Sequence, residues 1–247
     1  MPAQQPTILA TSGGVRPSRR HVVSPGPLLW HALELGGGGD RPKLCYLGTA
    51  GGDDLSWQAH LFDAFSGTGV EVSCLRLFPM PSVPDLRAHL LAQDVVWVGG
   101  GSVAGLLAMW RLHGLDEIFR EVWEAGVVLS GVSAGSLCWH VGGTTDSFGP
   151  ELRPVTDGLA LVPYANGVHY DAEPQRRPLL QKLVGDGTLP GAYATDNGVG
   201  LLYCGAELVE AVSEVPGAGA YSIRRAPAGV VEERIEPRLL PEPPPEP

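Results

Sequence analysis

A chain of 247 residues with 44% hydrophobic content can bury a large core, which fits one generous α/β domain. Its formal net charge of −10 argues against nucleic acid or an anionic membrane surface as the main partner. The four cysteines are widely spaced and form no C-x-x-C pair, so neither a zinc site nor a disulfide framework is indicated.

Strands and helices alternate through the first half of the chain. Short apolar runs that end in glycine-rich or polar loops predict strands, and apolar residues at helical intervals predict helices. The predicted strands cover residues 7–11, 43–48, 70–78 and 94–98, and the predicted helices cover residues 27–35, 55–65, 84–92 and 103–125, the last as one helix or a pair. This alternation predicts a three-layer α/β/α fold with a mostly parallel sheet, in which ligands bind at the carboxyl ends of the strands.

The pattern loosens after residue 150. One helix is predicted over residues 175–184, and alternating runs follow at 192–195, 199–203, 207–212, 220–224 and 230–235. The last three of these runs are typical of antiparallel edge strands or hairpins. Residues 237–247 are rich in Pro and Glu and cannot bury a core, so we expect a single domain over residues 1–236 and a disordered tail over 237–247.

A candidate nucleophile stands at the end of a buried strand. Residues 127–136 read as a strand, a tight turn and a helix, with Ser133 between Gly131 and Gly135. This Gly-x-Ser-x-Gly spacing is what a nucleophile elbow needs, because the serine adopts a strained conformation and its neighbours must be small. The same residues also fit a glycine-rich turn in which Ser133 only caps the helix.

A serine nucleophile needs a base, and that base needs an orienting partner. Among the seven histidines, His169 lies in a short β-like run before a helix, which is the usual position of a functional loop. His140 follows the elbow by two helical turns and is expected to point away from the strand ends. Asp196, in the loop at 194–198, would orient His169, although the same loop also fits a plain β-turn.

An oxyanion hole needs two backbone N–H groups aimed at one point. Ala134 follows the candidate nucleophile directly and offers one of them. The triple glycine at 99–101 offers the other, since a backbone without Cβ atoms can approach a substrate closely. A dinucleotide loop is the competing interpretation, but Ala104 holds the place of the third glycine in G-x-G-x-x-G.

Four motifs together resemble aspartyl dipeptidase (peptidase E) and its relatives, which include cyanophycinases. They are VGGGS at 98–102, GVSAG at 131–135, HYDAEP at 169–174 and DNG at 196–198, and their order and spacing agree from about residue 7 to residue 212. The resemblance implies a fold similar to class I glutamine amidotransferases, with serine in place of their cysteine. It further implies a Ser-His-acid triad with Ser133 as nucleophile, His169 as base, and Gly101 and Ala134 as the oxyanion hole. The chain order Ser, His, acid separates this arrangement from α/β-hydrolases.

The sequence departs from the family pattern at three places. Ser102 follows the triple glycine where the family usually has asparagine, and we expect Gly100 and Ser102 to lie beside the substrate. The register of the family's triad acid falls on Asn197, with Asp196 one residue earlier, so either residue orients His169. The loop after the histidine is shorter than in aspartyl dipeptidase, which leaves Arg176 and Arg177 either to bind a substrate carboxylate or to form a solvated helix face.

The sequence therefore predicts a serine peptidase that hydrolyses short peptides through an acyl-enzyme, with no metal or organic cofactor. An esterase with the same triad and a catalytically inactive amidotransferase-like binding protein are the alternatives. The expected partner is a short peptide, with no nucleic acid or membrane partner, and a homo-oligomer is left open. No basic segment leads into an apolar N-terminal run and no stretch reaches 18 apolar residues, so we expect a soluble, cytoplasmic protein.

Overall fold

The computed structural model describes residue 3 and residues 5–243. In chain order the strands are β1 (Thr7–Thr11), β2 (Val15–Pro17), β3 (Val23–Pro25), β4 (Lys43–Leu47), β5 (Glu71–Leu75), β6 (Val95–Val98), β7 (Val128–Val132), β8 (Gly142–Thr145), β9 (Arg153–Val155), β10 (Ala165–Gly167), β11 (Ala192–Thr195), β12 (Val199–Cys204), β13 (Glu207–Ser213), β14 (Ala220–Ala226), β15 (Gly229–Ile235) and β16 (Arg238–Leu239). The helices are α1 (Pro27–Gly36), α2 (Leu55–Ala64), α3 (Leu86–Leu91), α4 (Val103–Leu112), α5 (Leu115–Glu124), α6 (Ala134–Leu137) and α7 (Arg176–Asp186), with a 3-10 helix at Thr49–Gly51.

An eight-stranded sheet forms the centre of the fold, with the strand order β16-β13-β12-β1-β7-β6-β4-β5. Strands β1, β7, β6, β4 and β5 run parallel to one another, whereas β12 is antiparallel to both of its neighbours. The mostly parallel sheet that the alternating pattern predicts is thus confirmed.

Alternate residues of the parallel strands face helices on opposite sides of this sheet. Leu9 and Val95 belong to one buried cluster with residues of α1 and α2. Their neighbours Ile8 and Val96 belong to another cluster with residues of α3, α4, α5 and α6. Because both faces are covered, these strands read as continuous apolar runs. The three-layer α/β/α architecture predicted from the sequence is confirmed.

A second, six-stranded sheet is built from the later part of the chain, in the order β15-β14-β11-β10-β8-β9. Strand β10 lies parallel to β8 and β11, and β14 and β15 form an antiparallel hairpin at one end. Helix α7 contributes Leu180 and Val184 to the cluster on this sheet. The prediction of antiparallel edge strands or hairpins fits β14 and β15, and it also fits β13, which forms an antiparallel hairpin with β12. β16 covers the outer edge of β13, so β13 is not itself an edge strand.

The tail predicted to be disordered begins with ordered residues. Strand β16 pairs in parallel with β13, and Arg238 forms an ion pair with Glu210 at 2.8 Å. Leu240 is buried, and its N–H donates to the carbonyl of Ser213 at 2.8 Å. The prediction of disorder from residue 237 is therefore wrong for these residues. Although the segment is rich in Pro and Glu, the buried side chain of Leu240 and the pairing of β16 with β13 anchor it. Residues 244–247 of the predicted tail lie outside the described residues.

The helical stretch predicted over residues 103–125 is a helix pair. Helix α4 ends at Leu112, and Gly114 has a φ of 69°, a left-handed conformation that stops the helix before α5 begins. Among the helices that the structure describes, none combines the length and the apolar character that a bilayer crossing requires.

Three buried aromatic side chains hold the helices of one face together. Trp110 of α4 lies 4.5 Å from Phe119 of α5 between ring centroids, and Trp139, beyond α6, lies 5.6 Å and 5.2 Å from these two rings. All three side chains are completely buried. Aromatic pairs at such distances contribute ~0.5–1.5 kcal/mol each beyond the burial of their area.

His140 is a core residue rather than a site residue. Its Nδ1–H donates to the carbonyl of Ser136 at 3.0 Å, and its Nε2 lies 3.2 Å from the hydroxyl of Tyr203, which is placed to donate to it. Burial lowers the pKa of His140 to about 4, so the ring is neutral at pH 7.

We expect Phe119→Ala to lower the free energy of unfolding by ~3–5 kcal/mol, because it leaves a cavity between Trp110 and Trp139. Guanidinium denaturation followed by fluorescence measures this change. The matched control is Leu112→Ala, since Leu112 is 75% exposed on α4, and it should change stability by less than ~0.5 kcal/mol. Equal effects of the two substitutions would contradict the packing described here.

We expect the stability of the protein to fall as the pH is lowered from about 6.5 to about 4, with His140 contributing ~3 kcal/mol of this loss. The folded state holds His140 neutral, with its pKa lowered to about 4, while the unfolded chain takes up a proton below about pH 6.5. Denaturation curves across this range measure the loss. The His140→Asn variant should show a smaller dependence on pH, and an unchanged dependence would refute the assignment.

Candidate active site

Ser133 occupies the sharp turn between β7 and α6. Its φ of 58° and ψ of −112° lie in a sparsely populated region, which costs a non-glycine residue ~1–3 kcal/mol. The flanking glycines are required by packing, since a Cβ on Gly131 would lie 2.5 Å, and one on Gly135 2.2 Å, from the carbonyl oxygen of Val98. The backbone N–H of Ser133 donates to the backbone carbonyl of Thr11 at 3.0 Å. The turn that the Gly-x-Ser-x-Gly spacing predicts is thus present.

The predicted oxyanion donors lie beside Ser133. Gly101 has a φ of 133°, and a Cβ there would lie 2.3 Å from the carbonyl oxygen of Ala50, so this position accepts only glycine. Gly101, Ser133 and Ala134 line one small cavity of about 10 Å³. Within residues 5–243, neither Gly101 nor Ala134 donates its backbone N–H to another protein group. Both N–H groups are therefore available to a bound oxygen.

His169 lies in the loop that follows β10, in a left-handed conformation with a φ of 53°. Its backbone N–H donates to the hydroxyl of Ser12 at 3.2 Å, and its Nδ1 lies 2.5 Å from Oδ1 of Asn197. An amide oxygen only accepts hydrogen bonds, so Nδ1 carries the proton. In the neutral ring this leaves Nε2 as the free acceptor, which is the tautomer that a general base needs.

The structure brings Asn197, and not Asp196, to His169. The carboxylate of Asp196 is buried and accepts hydrogen bonds from the N–H of Gly219 at 2.8 Å and the hydroxyl of Tyr221 at 3.1 Å. Asp196 therefore anchors its loop to β14, and its predicted contact with His169 is wrong because the two side chains of this turn point to different partners.

Ser133 and His169 line the same cleft, which has a volume of about 300 Å³. The other residues of this cleft are Gly101, Ser102, Asp146, Ser147, Glu173 and Arg176. Ser102 accepts the N–H of Gly105 at 3.1 Å and so caps α4. Gly100 lines a neighbouring cavity instead, although a Cβ there would lie only 3.4 Å from the Cβ of Ser133.

The two adjacent arginines have different environments. Arg176 is buried, and its guanidinium donates to Glu173 at 2.9 Å and to the carbonyl of Thr144 at 3.1 Å. Arg177 lies over the rings of Tyr170 and Tyr221, 4.8 Å and 4.7 Å from their centroids, and pairs with Glu232 at 2.9 Å. Of the two arginines, Arg176 lines the cleft and Arg177 does not.

Four residues beside the predicted ones were missed by sequence reasoning. Asp146 and Ser147 follow β8, whose sequence Gly-Gly-Thr-Thr has no apolar alternation to predict a strand end. Glu173 lies inside the motif that begins at His169, but nothing in the sequence shows that it pairs with Arg176. Ser12 follows β1, and its position at the carboxyl end of a predicted strand is the one signal that points to it. Among the described residues, no group of three or more His, Cys, Asp or Glu side chains is arranged to hold a metal ion.

Two solved structures have a fold similar to that of this chain. A candidate peptidase E protein from Listeria monocytogenes EGD-e matches with a TM-score of 0.56 at 18% identity, covering 93% of this chain and 98% of that one. A peptidase from an acI-B1 actinobacterium matches with a TM-score of 0.67 at 14% identity, covering 94% of each chain. At such low identities these likenesses show the fold alone, and they agree with the predicted architecture.

Comparison at the level of the sequence goes further. A Bacillus subtilis (strain 168) protein named uncharacterized peptidase YgaJ is 37% identical over 193 residues, which are 78% of this chain and 83% of the relative. The model of peptidase family S51 matches residues 9–211. The resemblance drawn from the four motifs is confirmed, and so is the prediction of a peptidase. This chain belongs to peptidase family S51.

Proposed function

We propose that this peptidase hydrolyses short peptides by serine catalysis, with Ser133 as the nucleophile and His169 as the general base. One observation carries the proposal: Ser133, on a strained turn, and His169, held through Nδ1 by Asn197, line the same cleft. Strain at such a turn is a common feature of a projecting nucleophile, and it has no structural benefit of its own.

The proposed reaction follows from the placement of these groups. His169 Nε2 accepts the proton of the Ser133 hydroxyl as Oγ attacks the scissile carbonyl, and the N–H groups of Gly101 and Ala134 bind the oxyanion. His169 then gives the proton to the leaving amine, which departs and leaves an ester on Ser133. Water attacks this ester with the help of the same base and releases the acid. These steps use no metal or organic cofactor.

Asn197 fixes the ring but carries no charge. In a Ser-His-Asp triad the carboxylate both holds the tautomer and stabilises the imidazolium that forms. The amide oxygen of Asn197 performs the first task at 2.5 Å and contributes less to the second. An esterase with the same residues is the second candidate, because the alcohol of an ester leaves more readily than the amine of a peptide and depends less on protonation by the imidazolium.

The charges of the cleft suggest how a short peptide is held. Arg176 is the one cation among the cleft residues of the described chain, and it shares its charge with Glu173. We place the carboxylate of a short leaving peptide beside Arg176. Glu173 already pairs with this guanidinium. The described residues of the cleft include no second cation that could bind an acidic side chain of the substrate, so a strict preference for such a side chain is not expected.

We further propose the cytoplasm as the compartment in which the protein acts. All four cysteines are free. Burial raises the pKa of Cys45 and of Cys74 to about 12, so both stay as unreactive thiols. Free thiols are the pattern of a reducing compartment.

We expect Ser133→Ala to lower turnover of dipeptides by ~10³-fold or more while the melting temperature stays the same or rises. The assay compares dipeptide amides with p-nitrophenyl esters, and a fluorophosphonate probe should label the parent protein and not the variant. Ser66→Ala, at an exposed serine after α2, is the matched control and should keep parent activity. Full peptidase activity in Ser133→Ala, or no labelling of the parent, would refute the proposal; labelling with ester hydrolysis alone would favour the esterase.

We expect Asn197→Asp to shift the acidic limb of the kcat/KM profile to higher pH by ~1 unit or more, because a carboxylate beside Nδ1 would stabilise the protonated form of the imidazole ring. Asn197→Ala should lower kcat by ~10- to 100-fold, a part of the ~10²–10⁴ that a positioned general base contributes. Asp196→Asn is the control and should leave the position of that limb unchanged. A limb that moves in the Asp196 variant and not in the Asn197 variant would contradict the assignment.

A further inference from the structure

An apolar cavity of about 270 Å³ adjoins the cleft that holds Ser133 and His169. Six of its wall residues carry apolar or aromatic side chains: Val15, Tyr46, Trp57, Leu61, Trp97 and Val132. Neither His169 nor any charged residue of the cleft lines it. The nucleophile therefore lies between two hollows of opposite chemical character.

The walls of this cavity are fixed by the first sheet. Trp97 of β6 is 3% exposed, and a Cβ on Gly14 would lie 2.4 Å from its ring, so the backbone of Gly14 lies directly against the indole. Tyr46 of β4 packs in the same way against Gly99, since a Cβ on Gly99 would lie 2.3 Å from the hydroxyl of Tyr46. Trp57, from α2, completes the wall. Because the side chains stand on packed strands, the cavity exists before any ligand binds.

Two pairs of consecutive residues separate the cavity from the cleft. Gly100 lines the cavity while Gly101 lines the cleft, and Val132 lines the cavity while Ser133 lines the cleft. Consecutive Cα atoms are about 3.8 Å apart, and an extended peptide advances about 3.3–3.6 Å per residue. A peptide with its scissile carbonyl at Ser133 thus brings a neighbouring side chain to the mouth of the cavity.

The direction of the peptide follows from the chemistry of the leaving group. The amine that departs must be protonated by His169, so the leaving residue lies on the side of the cleft where His169 stands. The residue that supplies the scissile carbonyl therefore lies on the other side of Ser133, where the apolar cavity opens. Its side chain is therefore the group that reaches Trp57 and Trp97.

We propose that this cavity binds the side chain of the residue whose carbonyl Ser133 attacks, and that it selects an aromatic or large aliphatic side chain. The inference rests on the proposed serine mechanism. A volume of about 270 Å³ lies just below the ~300–1,000 Å³ of pockets for drug-sized ligands, which suits one large side chain rather than a whole peptide. The carboxylate of Asp54 at the cavity wall repels an acidic side chain.

Gly51 gives a way to narrow the cavity without disturbing the fold. It is exposed, it lines the cavity, and a Cβ there would meet only the carbonyl oxygen of Gly100, at 3.7 Å. Gly51→Leu should therefore place a side chain at the cavity mouth. Trp57→Ala is a second variant, which removes the aromatic wall instead of narrowing the space. Leu55→Ala, an exposed apolar truncation on the same helix as Trp57, is the matched control.

The experiment measures kcat/KM on dipeptides X-Ala, with X being Phe, Leu, Ala, Asp or Lys, for the parent and the three variants. The parent should hydrolyse Phe-Ala at least ~10-fold better than Ala-Ala, the discrimination that an apolar pocket provides. Gly51→Leu and Trp57→Ala should each lower the ratio of Phe-Ala to Ala-Ala by ~10-fold, and Leu55→Ala should leave the ratio unchanged. Melting curves show whether each variant is folded.

The outcomes separate the cavity from the mechanism. A parent that labels with fluorophosphonate at Ser133 but prefers Asp, Lys or Ala at X would overturn the cavity assignment and leave the serine mechanism in place. The assignment would also fail if both folded variants lost Phe-Ala and Ala-Ala hydrolysis equally. A parent that neither labels nor hydrolyses any dipeptide would instead refute the proposed function, and the cavity assignment with it.

Discussion

The site depends on a close approach between the backbones of two neighbouring strand ends. The turn after β7 lies so near the end of β6 that the carbonyl oxygen of Val98 leaves no room for a Cβ on Gly131 or Gly135. Within that restriction Ser133 is held at a φ of 58° by surrounding packing, not by its own preference. The same approach places Gly100 and Gly101 next to the serine, so one steric constraint determines the position of both the hydroxyl and the backbone N–H groups around it.

The second half of the site comes from the other sheet, and Ser12 joins the two. Its hydroxyl accepts the N–H of His169 and lies 2.7 Å from the hydroxyl of Thr195, while its carbonyl accepts the N–H of Gly198. Ser12 follows β1 of the first sheet, whereas Thr195 ends β11 of the second sheet and His169 lies in the loop after β10. One residue thus fixes the histidine loop and the Asn197 turn relative to the strand beside Ser133.

Local patterns in the sequence predicted the elements that depend on local packing. The parallel strands and the Ser133 turn follow from apolar runs and glycine spacing within a few residues. The choice between Asp196 and Asn197 depends on which of two adjacent side chains of a turn faces β14, and no short-range pattern contains that information. Arg176 and Arg177 pose the same difficulty, since neighbours on a helix point about 100° apart and only one reaches the cleft. The short strands β8 and β10 are defined by pairing with distant residues, and their few glycines, threonines and alanines show no periodicity.

The cavity and the cleft that meet at Ser133 differ in polarity. On one side lie the apolar rings of Trp57 and Trp97, and on the other lie Arg176 and its carboxylate partner Glu173. An amino acid or peptide that crosses this point meets opposite environments at its two ends, so the two orientations of a bound peptide differ in free energy. A carboxylate terminus on the side of the apolar cavity would be costly, because the described residues that line this cavity include Asp54 and no cation to pair with it. In the proposed mechanism this asymmetry directs the carboxylate end of a short peptide toward Arg176, and it places the residue that carries the scissile carbonyl on the side of Trp57 and Trp97.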